Sequence, residues 1–372
     1  MRLEQCIREN IRYTMLIGVD ATALVKNKTG IGNYINEILV NMVMAEQHEF
    51  ILYSNQEIYF PDCRNVRKVV HIPSRKGPAW QNSQLLTSLF RDKPDVFWGG
   101  NGYLPLLSPK KTKLILTVHD LVYKYAGETM PLLSRYSRRL FQPWSVRRAD
   151  RIVAVSQSTA QEMLINYGRA PDKVIHPQIN KSYFSNNVSD SIYILQKYGI
   201  SNYLLTIGTL EPRKNMVVLI KAYLKAVELG YELPLLAIVG GKGWMQGEID
   251  RLVELGIKQG IIKKLGYVPS EDLPRLYACA TSFILASTYE GFGMPVLEAQ
   301  ASGCPVMISN IPSMLEAAND ICCRFKPDEG SIIEFLIKLS RNELPLVCRL
   351  KSDINNDPIQ AAHEYLKLME GS

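Results

Sequence analysis

The chain of 372 residues has no Asp-x-Asp anywhere and only five histidines. A divalent metal bridged by such a carboxylate pair is therefore not expected, and neither is a bound cofactor. Seven cysteines, Cys6, Cys63, Cys279, Cys304, Cys322, Cys323 and Cys348, are odd in number, scattered and never spaced Cys-x-x-Cys. That argues against a disulfide framework or a zinc site and fits a reducing cytosol. No apolar run approaches the ~18 residues of a membrane-spanning helix. Charges run through the first twelve residues, so no secretory leader is read there. Gly-x-Gly-x-x-Gly is missing too. The pairs Gly30-x-Gly32 and Gly291-x-Gly293 stop at two glycines, which sets aside a dinucleotide oxidoreductase.

What remains is an ordinary folded composition, 47% apolar and 21% charged, long enough for two domains. The net charge of +7 fits nucleic acid, an anionic membrane, a phosphorylated substrate or a merely solvated surface. A nucleic-acid binder would have no use for the glycine turns described next, so nucleic acid is not expected as a partner. Apolar strand patterns at Met15–Asp20, Phe50–Tyr53, Val69–Ile72, Asp95–Trp98 and Lys113–Val118 alternate with helical ones. That alternation predicts an α/β chain with parallel sheets covered by helices.

Residues 286–306 hold the most informative stretch. An apolar run, Thr281–Ala286, leads into a loop broken by Gly291 and Gly293. Pro295 suits the first turn of a helix, and Gly303 with Pro305 ends it. Strand, glycine loop and helix N-terminus together favour an anion. Glu290 and Glu298 frame the loop. A carboxylate beside a phosphate is repelled, so both are expected to accept hydrogen bonds from hydroxyls, such as those of a sugar and a ribose. The alternative is a solvated loop glutamate and a helix-capping one.

Similar turns recur. Thr29-Gly30-Ile31-Gly32-Asn33-Tyr34 opens a helix. His119-Asp120 ends the strand Leu114–Val118, at the edge where open α/β sheets bind ligands; Asp120 is expected to hold the imidazole or cap the next turn. Gly208 follows the strand Tyr203–Ile207 and precedes Arg213-Lys214-Asn215, two cations suited to a diphosphate. Leu235–Val239 runs into Gly240-Gly241-Lys242-Gly243-Trp244, and Leu265-Gly266-Tyr267-Val268-Pro269 forms a further turn. Ser156 and Ser158 are candidate caps for the helix after the strand around Ile152–Val155, read as the last strand of the first domain.

The frame Ser-x-Tyr-Glu-Gly-Phe-Gly-x-Pro-x-Leu-Glu-Ala-x-Ala-x-Gly-x-Pro-Val resembles the donor-site signature of family 4 of the retaining glycosyltransferases. That resemblance implies the GT-B fold, two Rossmann-like domains facing across a cleft, over nearly all of residues 15–370. It implies that Glu290 contacts the transferred sugar and Glu298 the ribose. Backbone N–H groups of Gly291, Phe292, Gly293 and Met294 would face the sugar and diphosphate. Arg213 and Lys214 would neutralise the leaving diphosphate in place of a metal, with Gly208, Gly30, Gly32 and Lys242 close to the donor. Tyr267 and Val268 would lie against the base, and His119 would hydrogen-bond the sugar or the diphosphate region. Thr-Gly-Ile-Gly and Gly-Lys-Gly-Trp look most like mannosyltransferases, so GDP-mannose is the expected donor, ahead of UDP-sugars. A glycan, free or lipid-linked, is the expected acceptor.

Domain boundaries follow: an extension at 1–14, an acceptor domain at 15–178, a donor domain at 179–355, and a final helix within 356–372 crossing back to the first domain. Residues 173–180 read as the linker, without the glycine usual for the family. The last helix, Pro358–Met369, places Ile359, Ala362, Tyr365, Leu366 and Met369 on one face. Arg135, Arg138, Arg139, Arg147, Arg148 and Arg151, interleaved with Leu140, Phe141 and Trp144, suggest a helix lying on an anionic membrane surface, and hence a cytoplasmic enzyme peripheral to the inner face of a membrane. A solvated helix face is the competing reading. A non-catalytic partner in a polysaccharide assembly complex is a further alternative, disfavoured because Glu290, His119, Arg213 and Lys214 are all present.

Overall fold

A computed structural model describes residues 15–72, 77–185, 190–208, 211–241, 247–346, 348, 354 and 356–371. The extension 1–14, Thr209-Leu210 and the Lys242–Trp244 turn lie outside these. The chain divides into two compact units. One holds the described residues up to Lys124, Met130–Ile179 and the chain from Asn356 onward; the other holds Tyr125–Thr129 and the described residues between Asn180 and Asn355.

The first unit is built on strands β1 Leu16–Asp20, β2 Glu49–Ser54, β3 Val66–Val70, β4 Val96–Gly99, β5 Lys113–Val118, β6 Arg151–Ala154 and β7 Lys173–Val174. All pair in parallel, in the order β3-β2-β1-β4-β5-β6-β7. Its apolar core gathers Ile51, Tyr53, Phe97, Leu116 and Ile152 from the sheet, with Trp80, Leu89 and Met163 from helices. Both faces of a parallel sheet are covered, so its central strands β1 and β4 are buried along nearly their whole length without alternation, whereas β3 carries Arg67 and Lys68. The second unit has β8 Tyr203–Ile207, β9 Leu235–Val239, β10 Ile262–Gly266, β11 Ser282–Leu285, β12 Val306–Ser309 and β13 Cys323–Phe325. These are again parallel, in the order β10-β9-β8-β11-β12-β13. The amphipathic helices Met216–Glu228 and Glu329–Ser340 bury Ile220, Tyr223, Ile332 and Leu336 against it.

Several expectations need correcting. The strand β6 is not the last of its sheet. Lys173–Val174, inside the stretch read as linker, adds a short edge strand against it. The strand expected at Val69–Ile72 lies three residues earlier, and Ile72 is 82% exposed. Ser156, but not Ser158, caps the following helix, its Oγ accepting from the Thr159 N–H at 2.9 Å.

The last helix, Pro358–Glu370, packs on the helix Gly30–Met44 of the first unit. Ala362, Tyr365, Leu366 and Met369 are buried there, whereas Ile359 is 58% exposed and faces solvent. Lys113 Nζ donates to the last carbonyls of this helix, at Leu368 and Met369, as a cation at a helix C-terminus should. Tyr365 enters a buried chain of hydrogen bonds. Trp98 Nε1 donates to Thr117 Oγ1 at 2.9 Å, Thr117 and Tyr365 hydroxyls lie 2.7 Å apart, Tyr365 and Tyr34 hydroxyls 2.9 Å apart, and Tyr34 donates to the Ile175 carbonyl at 3.1 Å. Indole N–H only donates and a carbonyl only accepts, so both ends fix the direction of every hydroxyl between them. Tyr365→Phe would leave the Thr117 hydroxyl without its acceptor and the Tyr34 hydroxyl without its donor. The expected cost is about 1–3 kcal/mol, read from urea unfolding monitored in the first unit. A change below about 0.5 kcal/mol would show that the chain does not hold the helix.

Candidate active site

In the second unit the strand order turns at β8 and β11, which are neighbours although β9 and β10 intervene in sequence. Open α/β sheets bind ligands at such a point, beyond the carboxyl ends of the strands. Gly208 follows β8, and the 3-10 turn Pro212–Lys214 stands beside it. A side chain on Gly208 would meet the Lys214 methylenes at 3.4 Å. Ser287 to Glu290 follow β11, and the Thr288 N–H donates to the Arg213 carbonyl at 2.8 Å, joining the two turns.

These turns bring Glu290, Arg213 and Lys214 together. Arg213 Nη1 donates to Glu290 Oε2 at 2.7 Å; Lys214 Nζ and Ser287 Oγ both donate to Oε1, the latter at 2.8 Å. Arg213 Nε also pairs with Glu211 at 3.0 Å. Glu290 and Lys214 are buried. Burial alone would raise the Glu290 pKa, but the Lys214 and Arg213 charges outweigh it and bring it down to about 2. Both cations are therefore already engaged, and two carboxylates balance them. Sequence reasoning identified Glu290, Arg213 and Lys214. It missed Ser287 and Glu211, although Ser287 stands at the end of an apolar strand, where a small polar residue is a usable signal.

Gly291 and Phe292 continue the loop, and Gly293 has φ +114°, a region that favours glycine. That turn starts the helix Met294–Ala301, with Pro295 in its first turn. Glu298 lies within the helix, buried, and accepts from the Tyr277 hydroxyl at 3.0 Å. Burial pushes its pKa up to about 7, against the Tyr277 hydrogen bond and the Lys214 charge. Tyr277 was not foreseen. At the turn after β10, Val268 is buried and Tyr267 is 62% exposed. The remaining predicted donor contact, Lys242, lies outside the described residues. Asp272 is buried and takes bonds from Tyr193, Lys197 and Tyr198.

In the first unit His119 follows β5. Its Nε2 lies 2.7 Å from the Gly100 carbonyl, so Nε2 carries the hydrogen and Nδ1 is the acceptor of the neutral ring. Burial lowers its pKa. The Tyr34 ring packs against it edge-on, centroids 5.2 Å apart. Of the two roles foreseen for Asp120, the structure selects the cap: Oδ1 accepts from the Val122 N–H and pairs with Arg138 at 3.1 Å. Gly30 is exposed at the start of its helix, whereas Gly32 is buried. A Cβ on Gly32 would come within 2.4 Å of the Ala23 carbonyl, so close backbone packing requires that glycine. Among the described residues no three His, Cys, Asp or Glu side chains gather as a metal cage.

Residues 29–182 match the Glycosyltransferase Family 4 model, and residues 190–343 match the model of Glycosyl transferases group 1. O-antigen chain mannosyltransferase B of Escherichia coli is 36% identical over 62% of this chain and 61% of its own length. O-antigen chain mannosyltransferase RfbU of Salmonella typhimurium is 28% identical over 60% of this chain and 59% of its own. The alignments thus span about three fifths of those relatives. The crystal structure of WaaG, a glycosyltransferase involved in lipopolysaccharide biosynthesis, covers 96% of this chain and 100% of its own with a TM-score of 0.72 at 17% identity. Anabaena HepE in complex with UDP and glucose covers the same shares with a TM-score of 0.70 at 15% identity. At those identities the structural likeness establishes the fold. With two glycosyltransferase models matched in succession along it, the chain is a glycosyltransferase similar to those of family 4, with the architecture of the GT-B fold.

Proposed function

We propose that the protein is a retaining mannosyltransferase, moving mannose from GDP-mannose to a hydroxyl of a polysaccharide or lipid-linked glycan of the O-antigen type. The observation that carries this is the Glu290–Arg213–Lys214 cluster at the turning point of the second sheet. The names of the two O-antigen mannosyltransferases support the sugar.

Breaking the sugar–phosphate bond builds negative charge on the leaving diphosphate. Arg213 and Lys214, held in place beforehand, stabilise that charge without a bridging metal. A carboxyl with a pKa of about 2 remains ionised at any working pH and is unsuited to proton transfer. Glu290 instead fixes the two cations and accepts from a sugar hydroxyl, and retention proceeds without it as nucleophile. The N–H groups from Gly291 to Met294 stand at a helix N-terminus and meet the sugar and diphosphate. His119 spends its Nε2–H on Gly100 and offers Nδ1, an acceptor, which suits a sugar hydroxyl better than a phosphate oxygen.

The helix Leu132–Arg148 exposes Leu132, Leu133, Tyr136 and Leu140. Arg139 and Arg147 are exposed on it as well. Arg138 and Arg148 are otherwise engaged, on Asp120 and on the Pro105 carbonyl. We assign this face to an anionic membrane surface. Among the described residues no helix is long and apolar enough to cross a membrane.

Thermal shift with GDP, UDP, ADP and their sugars is expected to show selective stabilisation by GDP and GDP-mannose, unchanged by EDTA. Arg213→Ala and Lys214→Ala should each lower turnover about 10²- to 10³-fold. Stabilisation by UDP species would keep the fold and overturn the donor; no response to any nucleotide would favour the non-catalytic partner. Ribose hydroxyls need the ionised form of Glu298, whose pKa is raised to about 7. Donor affinity should therefore rise about tenfold per pH unit as pH climbs toward 7 and level off above it. A pH-independent Kd in the wild type, or the same slope in Glu298→Gln, would remove the ribose assignment. Sedimentation with phosphatidylglycerol vesicles should capture the wild type and lose Leu133→Glu; equal capture of both would refute the membrane face.

A further inference from the structure

The string Thr29-Gly30-Ile31-Gly32-Asn33-Tyr34 opens its helix with two glycines expected near the donor, and its last residue, Tyr34, packs against His119. Tyr34 is buried, and the transfer chemistry above makes no use of it. The backbone of the His119–Asp120 turn is held from two other helices. Gln142 Nε2 donates to the Asp120 carbonyl at 2.9 Å, and Thr159 Oγ1 donates to the His119 carbonyl at 3.4 Å. The imidazole is tied through Nε2 to the Gly100 carbonyl at 2.7 Å. One such bond selects a tautomer but leaves the ring free to pivot about it.

Tyr34 stands against that pivot. Its ring and the imidazole are 5.2 Å apart between centroids and inclined at 86°, the edge-on arrangement that aromatic pairs favour. The same helix also backs the acceptor, since a Cβ on Gly100 would lie 3.1 Å from the Ile35 side chain. The phenol is itself fixed at both ends. At its root, the packing of Gly32 against the Ala23 carbonyl seats the first turn of the helix. At its tip, the hydroxyl accepts from Tyr365 at 2.9 Å and donates to the Ile175 carbonyl at 3.1 Å. A ring anchored this way is a rigid stop, as groups that orient a reacting side chain need to be. Phenylalanine would supply the same ring without the anchor at its tip.

We propose that Tyr34, pinned through its hydroxyl, is a positioning residue for His119, holding the imidazole so that Nδ1 faces the sugar. The assignment rests on the transferase reading. Burial, to which the Tyr34 ring contributes, keeps the His119 pKa below its ordinary 6.5, while Asp120 and Arg138 act on it with opposite signs. The neutral ring is the form that has a free acceptor nitrogen, so loosening the stop disturbs both the direction and the state of that nitrogen.

Two-bond proton–nitrogen NMR of the full chain, labelled in its histidines and free of substrate, tests it. The His119 signal is the one lost in His119→Gln. The wild type should show the Nε2–H tautomer and titrate below 6.5. Tyr34→Leu should show both tautomers and titrate at about 6.5. Tyr34→Phe removes one oxygen and keeps the core filled; it should move both readings in the same direction by less. His119 shifts and titration identical in the wild type and Tyr34→Phe overturn the proposal, whether or not Tyr34→Leu folds. With GDP-mannose transferred to water, Tyr34→Leu should lower turnover about tenfold and leave the donor KM within about twofold. Its acid limb should shift to higher pH with the His119 titration, which a loss of stability alone would not cause. An altered His119 spectrum with unaltered turnover would uphold the positioning and count against the role of His119 in transfer alone.

Discussion

One buried carboxylate between two cations organises the second unit. Glu290 follows one strand; Arg213 and Lys214 follow its neighbour in the sheet. Their attraction overcomes the desolvation that would otherwise protonate the glutamate. The fall in pKa from 4.5 to about 2 corresponds to about 3 kcal/mol in favour of the folded chain. Because the folded pKa is the lower one, that contribution is complete above the ordinary carboxylate range and disappears as pH falls toward 2. Removing any one partner leaves a buried charge unmatched, so the three residues act as a unit. With Glu211 counted, the cluster carries no formal net charge, and an incoming diphosphate competes with carboxylates for cations that are already in place.

The two sheets reuse one architectural device. Each turns in strand order, β1 with β4 and β8 with β11, and each collects polar residues beyond the strand ends at that point. The second sheet gathers a guanidinium and an ammonium against two carboxylates. The first gathers the Thr22, Gln81 and Asn101 side chains around the buried Asp20.

How much of this the sequence discloses depends on whether the information is local. Strands β5, β8 and β9 were legible to the residue, because buried parallel strands are rich in apolar and β-branched residues with no charge in their interior. The strand β10 was not, because Lys263 and Lys264 interrupt its pattern on a half-buried edge. Glu290, Arg213 and Lys214 could be read because each sits in a compact strand–turn string. Tyr277 could not: it reaches Glu298 from another helix, 21 residues away. The bonds to Asp20 from Thr22 and Gln81 were illegible for the same reason, since the Gln81 helix meets β1 only after the sheet forms.

Glu290 and Glu298 show why sequence assigns a residue type but not its state. Both were expected to accept hydrogen bonds from hydroxyls, and both are buried. Glu290 meets Arg213, Lys214 and Ser287 directly and is held ionised. Glu298 receives one phenol hydrogen bond and only a weak influence from Lys214, and burial prevails. The same desolvation acts on each; the number of partners within reach decides the outcome. One carboxylate is thereby a fixed structural charge, and the other is poised near neutrality, able to release a proton when a ligand supplies hydroxyls to replace it.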